Sequence, residues 1–107
     1  MASTDWRQIV ALYDILLHVE PSPVVRLARA IALAEADGPS AGLAEVDAIL
    51  DAKQLADYLP LHAARADLCR RLGRPKDALA AYERALAVAS LGPERRFLKR
   101  QIAELGR

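Results

Sequence analysis

The sequence predicts an all-α fold, a stack of about six helices arranged as antiparallel hairpins. Alanine (22) and leucine (17) together supply 39 of the 107 residues, and both favour helix. Aromatic residues make up only 5%, whereas sandwiches and barrels are rich in β-branched and aromatic side chains. Apolar residues recur at the three- and four-residue spacing of one helical face, and proline-containing breaks separate these segments. No segment has the pattern of a strand.

The first helix is predicted to begin at about Asp5 and to end near His18. Thr4 or Asp5 caps it, because their side-chain oxygens accept hydrogen bonds from the N–H groups of the first turn. The residues of its apolar stripe are Trp6, Ile9, Val10, Tyr13, Leu16 and Leu17.

The second helix is predicted to follow the break at Pro21-Ser22-Pro23 and to end near Ala36. Ser22 caps it, and Pro23 takes the first helical position, where a missing N–H costs nothing. Its apolar side is formed by Leu27, Ala28, Ala30, Ile31 and Ala34.

A structural corner is predicted at Asp37-Gly38-Pro39, between the second and third helices. Gly38 suits a left-handed cap, and Pro39 cannot continue the preceding helix. We interpret the corner as a helix stop, or alternatively as a rigid edge that presents a binding surface. The third helix starts at about Ser40, and its inward residues are Leu43, Val46, Ile49 and Leu50.

The second half of the chain predicts three further helices. Leu59 or Pro60 opens the fourth, Gly73 ends it, Pro75 starts the fifth, and Gly92-Pro93-Glu94 precedes the sixth. Proline in a first turn again suits a helix start. The inward residues of the sixth helix are Phe97, Leu98, Ile102 and Leu105.

The charge of the chain is divided unevenly between its halves. Residues 1–53 carry four basic and eight acidic side chains, whereas residues 54–107 carry eleven basic and six acidic ones, which gives the total of +1. This near-neutral total does not favour a strong nucleic-acid binder. The division of charge is typical either of a surface that docks to a partner of opposite sign or of solvated helix faces.

A basic cluster in the second half is the candidate interaction surface. Its members are Arg70, Arg71, Arg74, Lys76, Arg95, Arg96, Lys99 and Arg100. Three interpretations stay open: salt bridges to Asp67, Asp77, Glu94 and Glu104, docking to an acidic protein surface, or contact with the DNA backbone. The absence of aromatic residues between these cations disfavours base stacking.

The residues that carry catalysis or bind metals do not form a recognisable pattern. His18 and His62 do not lie in a metal-binding spacing, and we expect no metal or cofactor. Cys69 lies near an apolar helix side and is expected to be structural. Asp47 and Asp51 are expected to be solvated, so we predict that the chain is not an enzyme. No signal peptide or membrane span is predicted, which favours the cytoplasm.

The segment from about Leu59 to Gly92 resembles one tetratricopeptide repeat of 34 residues. The repeat core consists of small residues at the helix crossing, a turn glycine and one aromatic residue, namely Ala66, Gly73, Ala78, Tyr82 and Ala85. His62 and Pro93 depart from the pattern. The resemblance implies a right-handed superhelix. In the first half, Pro23, Leu27 and Ala30 have the same spacing as Ala78, Tyr82 and Ala85 and precede them by 55 residues. Because 55 exceeds the repeat length of 34, an extra helix over 40–50 is expected between them.

Nearly the whole chain also resembles the C-terminal extension of one group of extracytoplasmic-function sigma factors of RNA polymerase. The motifs that carry this resemblance occur in one order, and they are 6–14 (WRQIVALYD), 21–25 (PSPVV), 29–30 (RA), 37–39 (DGP), 41–43 (AGL), 62–68 (HAARADL), 71–74 (RLGR), 81–82 (AY) and 94–98 (ERRFL). Sequences of this group usually have asparagine where this chain has Ala28.

The resemblance implies a non-catalytic regulatory domain, with the sigma domains expected upstream. Its implied partners are those sigma domains, core RNA polymerase or a YCII-related protein, and promoter DNA is reached through the parent protein. Residues 1–107 then form one domain, in which residues 1–4 are a tag or linker. Trp6 and Tyr13 pack in the core or at the junction with the preceding domain.

Two other functions are compatible with the sequence. The chain is alternatively a stand-alone tetratricopeptide-type adaptor, which the sequence upstream would distinguish from an extension. A second alternative is an accessory module that binds the DNA backbone through the basic half, with affinity that falls steeply with salt.

Overall fold

The computed structural model describes residues 4–106, and within that range the protein consists of six helices and no strand. The helices are α1 (Trp6–Val19), α2 (Pro23–Asp37), α3 (Pro39–Asp51), α4 (Leu59–Arg71), α5 (Pro75–Val88) and α6 (Gly92–Leu105). The prediction of an all-α fold is thereby confirmed. None of these helices has the length and apolar character needed to cross a membrane. Residues 1–3 of the predicted tag or linker lie outside the described range.

The helices fall into two compact units, α1–α3 and α4–α6, which divide between Leu55 and Ala56. Within the first unit α2 packs against both α1 and α3, and within the second α5 packs against both α4 and α6. Every packed pair is therefore consecutive in sequence. The expectations of one domain and of a superhelix stay predictions.

The caps predicted for the first two helices, Asp5 and Ser22, are confirmed by hydrogen bonds. Asp5 Oδ1 accepts from the Gln8 N–H at 3.1 Å, and Ser22 Oγ accepts from the Val24 N–H at 3.2 Å. Each of the five later helices has a proline in its first turn. These prolines replace N–H groups that have no partner within a helix.

The tightest contact in the first unit lies where α3 crosses α2. Gly42 is buried, and a Cβ atom added to it would lie 2.5 Å from Ala34 Cβ and 2.8 Å from the Ala30 carbonyl oxygen. Backbones approach this closely only where side chains are absent or very short. Four larger side chains are buried in the same unit, namely Leu27, Leu43, Val46 and Ile49.

Arg29 connects the three helices of the first unit. From α2 its Nε donates to Asp14 Oδ1 of α1 at 2.6 Å, and its Nη1 lies 3.6 Å from Glu45 Oε1 of α3. The Arg29 side chain is only 23% exposed. Its ion pairs are therefore less screened by water than those on the surface.

The second unit is also built on alanine contacts. Ala66 of α4 and Ala78, Ala81 and Ala85 of α5 are at most 1% exposed. Tyr82 is buried beside them. The second unit thus combines small residues at its helix crossing with one large aromatic side chain.

The two units repeat one pattern of residues at an interval of 36. Ala30, Gly42 and Val46 are buried, and they precede the buried Ala66, Ala78 and Tyr82 by 36 positions each. The α2–α3 hairpin therefore corresponds to the α4–α5 hairpin. The interval of 55 predicted from the sequence instead aligns α2 with α5, the helix of each unit that packs against two others, and α3 lies in the region of the expected intervening helix. That correspondence stays a prediction.

Three apolar residues predicted to face inward are instead exposed. Leu16 is 41% exposed, Ile31 43% and Phe97 47%. Each of them lies next to a covered position on its helix. Leu16 lies on α1 and Phe97 on α6, and each of these helices packs against only one other helix of its unit. A single neighbour covers a narrower stripe than the apolar sequence pattern indicates.

The ends of α3 and α4 are closed by the same pair of hydrogen bonds. After α3, the Lys53 and Gln54 N–H groups donate to the carbonyl oxygens of Leu50 and Ile49. After α4, Gly73 and Arg74 donate in the same way to Arg70 and Cys69. The residue at the turn has φ of +58° at Lys53 and +69° at Gly73, and this conformation favours glycine.

Replacement of Gly42 by alanine should destabilise the protein by about 1–3 kcal/mol, because the new Cβ would overlap Ala34 and the Ala30 carbonyl. This sign is opposite to the usual gain of about 1 kcal/mol for Gly→Ala inside a helix. Urea unfolding measures the change. Gly92→Ala is the matched control, since its Cβ would meet only the flexible end of Arg96. An equal or higher stability of Gly42→Ala would contradict the close crossing.

Replacement of Lys53 by glycine should stabilise the protein by about 1 kcal/mol, because glycine adopts a positive φ without a Cβ penalty. The thermal unfolding midpoint should rise correspondingly. Lys53→Ala removes the same charge but keeps the penalty, so its midpoint should stay near that of the parent chain. Equal midpoints for the glycine and alanine variants would show that the conformation of residue 53 is not a source of strain.

Candidate interaction surfaces

The basic cluster predicted from the sequence lies within the second unit, and its cations differ in their partners. At the end of α4, Arg70 pairs with Asp67 at 2.7 Å and Arg71 with the same carboxylate group at 3.7 Å. At the start of α5, Arg74 pairs with Asp77 at 2.8 Å. These arginines are therefore largely neutralised by neighbouring carboxylates.

Arg70 shows this neutralisation most clearly. The hydrogen bond from Arg70 to Asp67 and the attraction between their charges raise the pKa of Arg70 above its ordinary value, with a further hydrogen bond to Tyr82. The guanidinium group stays charged at every working pH. Its interactions lie within the hairpin, so Arg70 contributes to hairpin packing as well as to surface charge.

Arg95 acts within the fold, since its Nη1 donates to two backbone oxygens at the end of α5. The distances are 3.0 Å to the Leu86 carbonyl and 3.1 Å to the Ala89 carbonyl. Both carbonyls belong to the last turn or cap of α5, where the helix carries partial negative charge. Arg95 thereby caps the C-terminal end of that helix.

Three cations of the cluster remain on the outer face of α6, and we call them the α6 basic stripe: Arg96, Lys99 and Arg100. They occupy positions three and four residues apart, and all are exposed. With Pro93 and Ala103 they line a shallow, open depression. None of them, nor Lys76, forms an ion pair with any residue of the range 4–106. The stripe therefore presents three uncompensated charges.

Trp6 and Tyr13 are half-buried on α1, as are Ile9, Val10 and Leu17. Beside this half-buried face the helix carries a further row of aliphatic residues, which we call the α1 apolar stripe: Leu12, Ile15, Leu16 and Val19. All four are exposed. Of these residues only Leu16 was predicted to face inward. Leu12, Ile15 and Val19 were not predicted, although together with the half-buried residues they make α1 apolar over a wide arc.

The structural corner joins α2 to α3 and is held to the start of α1. Gly38 has φ of +99° and serves as the C-cap of α2 and the N-cap of α3. Asp37 pairs with Arg7 at 2.8 Å. The corner thus carries contacts inside the first unit.

The histidines satisfy local backbone groups. The buried His62 donates through Nε2 to the Ala56 carbonyl at 2.6 Å, and His18 donates through Nδ1 to the Asp14 carbonyl at 2.8 Å. Cys69 is buried. Residues 4–106 contain no group of histidine, cysteine or carboxylate side chains positioned to hold a metal ion.

The comparison with known proteins gives one informative match. No protein-family model matches the chain. Over 102 residues, 95% of its length, the chain is 38% identical to an uncharacterized protein of Rhizobium meliloti (strain 1021). The match covers 24% of that protein, so the chain spans about a quarter of the length of the curated relative that it matches.

Replacement of Arg95 by methionine should destabilise the protein by about 1–2 kcal/mol, since two backbone oxygens at the end of α5 lose a charged donor. The adjacent Arg96→Met is the matched control and should change the stability by less than about 0.5 kcal/mol, as an exposed residue without a partner does. Chemical denaturation measures both. Equal losses for the two variants would contradict the division of the cluster into capping and uncompensated cations.

Proposed function

We propose that the chain is a C-terminal, non-catalytic regulatory domain of an extracytoplasmic-function sigma factor. The observation that carries this proposal is the match of 95% of the chain to 24% of a much longer protein. Together with the ordered motifs from 6–14 to 94–98, it supports a small accessory part of a larger polypeptide. The domain would work in the cytoplasm and control the start of transcription.

The proposal extends to a tetratricopeptide-like, right-handed superhelix. Its support is the 36-residue interval between the corresponding hairpins, which is close to the 34-residue period of that repeat. Such helical scaffolds act through the complementarity of their exposed surfaces.

The surface that we assign to this contact is the α6 basic stripe. Arg96, Lys99 and Arg100 have no ion pair to break within residues 4–106, so docking leaves no acidic partner of the domain unpaired. An acidic face of the sigma domains or of core polymerase has the matching charge. Each exposed pair adds only about 0.2–1 kcal/mol, and the stripe would mainly orient the partners and speed their association.

The test is transcription by the longer polypeptide with core RNA polymerase from its own promoter. Lys99→Glu/Arg100→Glu should change the output several-fold, because the stripe would repel the acidic surface. Lys53→Glu/Arg84→Glu is the matched control: it alters the net charge equally at two exposed positions outside the cluster and should leave the output unchanged. Deletion of residues 1–107 should also change the output.

Two outcomes would contradict the proposal. Unaltered output after the deletion would remove the regulatory role, and a chain without sigma domains upstream would favour the adaptor. Direct binding of residues 1–107 to promoter DNA, lost in Lys99→Glu/Arg100→Glu, would assign the stripe to DNA. With three phosphate contacts, the affinity for DNA would then fall by about 40-fold as the salt concentration rises from 50 to 200 mM.

A further inference from the structure

The α1 apolar stripe is the largest group of uncovered aliphatic side chains on one described helix. Leu12, Ile15, Leu16 and Val19 are 58%, 64%, 41% and 79% exposed. Their spacing of three, four and seven residues from Leu12 places them on one helix face. α1 itself has no buried residue, and the stripe lies beside the half-buried face of the helix.

The charged groups of α1 are engaged on the side of α2. Arg7 pairs with Asp37 at the end of α2, and Asp14 pairs with Arg29 of α2. His18 donates to a carbonyl of its own helix. The stripe itself contains no ionisable side chain. An ionic partner or a nucleic acid therefore has nothing to bind there, whereas an apolar helix face does.

The outer face of α6 has the opposite character. It carries Arg96, Lys99 and Arg100, whose charges favour water or an acidic surface over an apolar helix face. The exposed stripe of α1 is aliphatic throughout, as is a helix face that packs against another helix. This contrast indicates that a further element packs on α1.

The packing order identifies that element. Each packed pair of helices within the two units is consecutive in sequence, and consecutive elements are usually adjacent in space. α2 already occupies one side of α1, and the other consecutive neighbour of α1 is the segment before Trp6. The 102 matched residues are 24% of the Rhizobium meliloti protein, so that relative has about 425 residues and more than 300 of them lie outside the match.

We propose that the α1 apolar stripe is the docking surface for an amphipathic helix of the polypeptide that precedes Trp6. This inference deepens the proposed function, since it rests on the same premise of a longer protein and names the contact by which the domain is joined to it. The docked helix contributes aliphatic side chains at three- and four-residue spacing, and the contact is intramolecular.

Thiol labelling of the longer polypeptide tests this contact. Ile15→Cys should react with a maleimide at least tenfold more slowly than Ala87→Cys, a matched variant at an exposed position of α5. Cys69 is buried and supplies the background rate, which the parent polypeptide measures. In the 107-residue chain, which lacks the preceding segment, Ile15→Cys and Ala87→Cys should react at similar rates.

A second variant tests the same contact through the stability of the protein. Ile15→Lys should lower the thermal unfolding midpoint of the longer polypeptide by several degrees, because residue 15 is covered there by the docked helix. The midpoint of the 107-residue chain should change by no more than about one degree, because residue 15 is exposed in it.

Three results would overturn the inference. The first is equal labelling rates at positions 15 and 87 in the longer polypeptide. The second is slow labelling at position 15 that becomes fast on dilution, with a dimer detected by sedimentation. The third is a polypeptide with no segment before Trp6. The labelling rates do not depend on transcription. If position 15 is protected but transcription is unaltered after deletion of residues 1–107, only the regulatory role is contradicted. If regulation is normal but position 15 reacts fast, only the docking surface is contradicted.

Discussion

The close approach of helix backbones at small residues is the constraint on which the rest of this structure depends. α3 can cross α2 only because Gly42 has no Cβ where Ala34 and the Ala30 carbonyl stand. In the second unit, the corresponding positions are Ala66 and Ala78, both without exposed surface. Short side chains bury little apolar area each, so the hairpins derive stability from dense contact along the crossing and from the larger residues beside it.

Small crossing residues also determine which surfaces remain for partners. A helix packed closely at one stripe is covered over a narrow arc, and the neighbouring apolar positions remain in water unless another element covers them. This explains why α2 covers only part of the apolar surface of α1. It also explains why Phe97 is exposed beside the buried Leu98.

Ion pairing divides the surface charge into two kinds. Arg29 and Arg95 each bind groups of the helix next to their own and contribute to the packing of the helices, whereas Arg70 pairs with Asp67 of its own helix. The cations of the α6 basic stripe bind nothing within the described residues. The sequence alone does not distinguish these cations. Only the cations without an ion pair can bind an acidic partner without breaking an interaction inside the domain.

The sequence by itself determined the six helices and their starts, because capping side chains and first-turn prolines act locally. Asp5, Ser22 and Pro75 perform the roles that their positions predict. It also indicated the small residues of the α4–α5 crossing, which follow a spaced pattern.

Only the tertiary structure decided which helices pair, that Gly42 corresponds to Ala78, and which apolar stripe of α1 is covered. Periodicity shows that a face is apolar but not what packs on it, because burial depends on a neighbour distant in sequence. The same holds for charge: whether Arg95 caps a helix and Arg96 faces solvent depends on where the end of α5 lies. The sequence therefore predicted the basic cluster as one set of residues, and the packing of α5 and α6 separated structural from exposed members of that set.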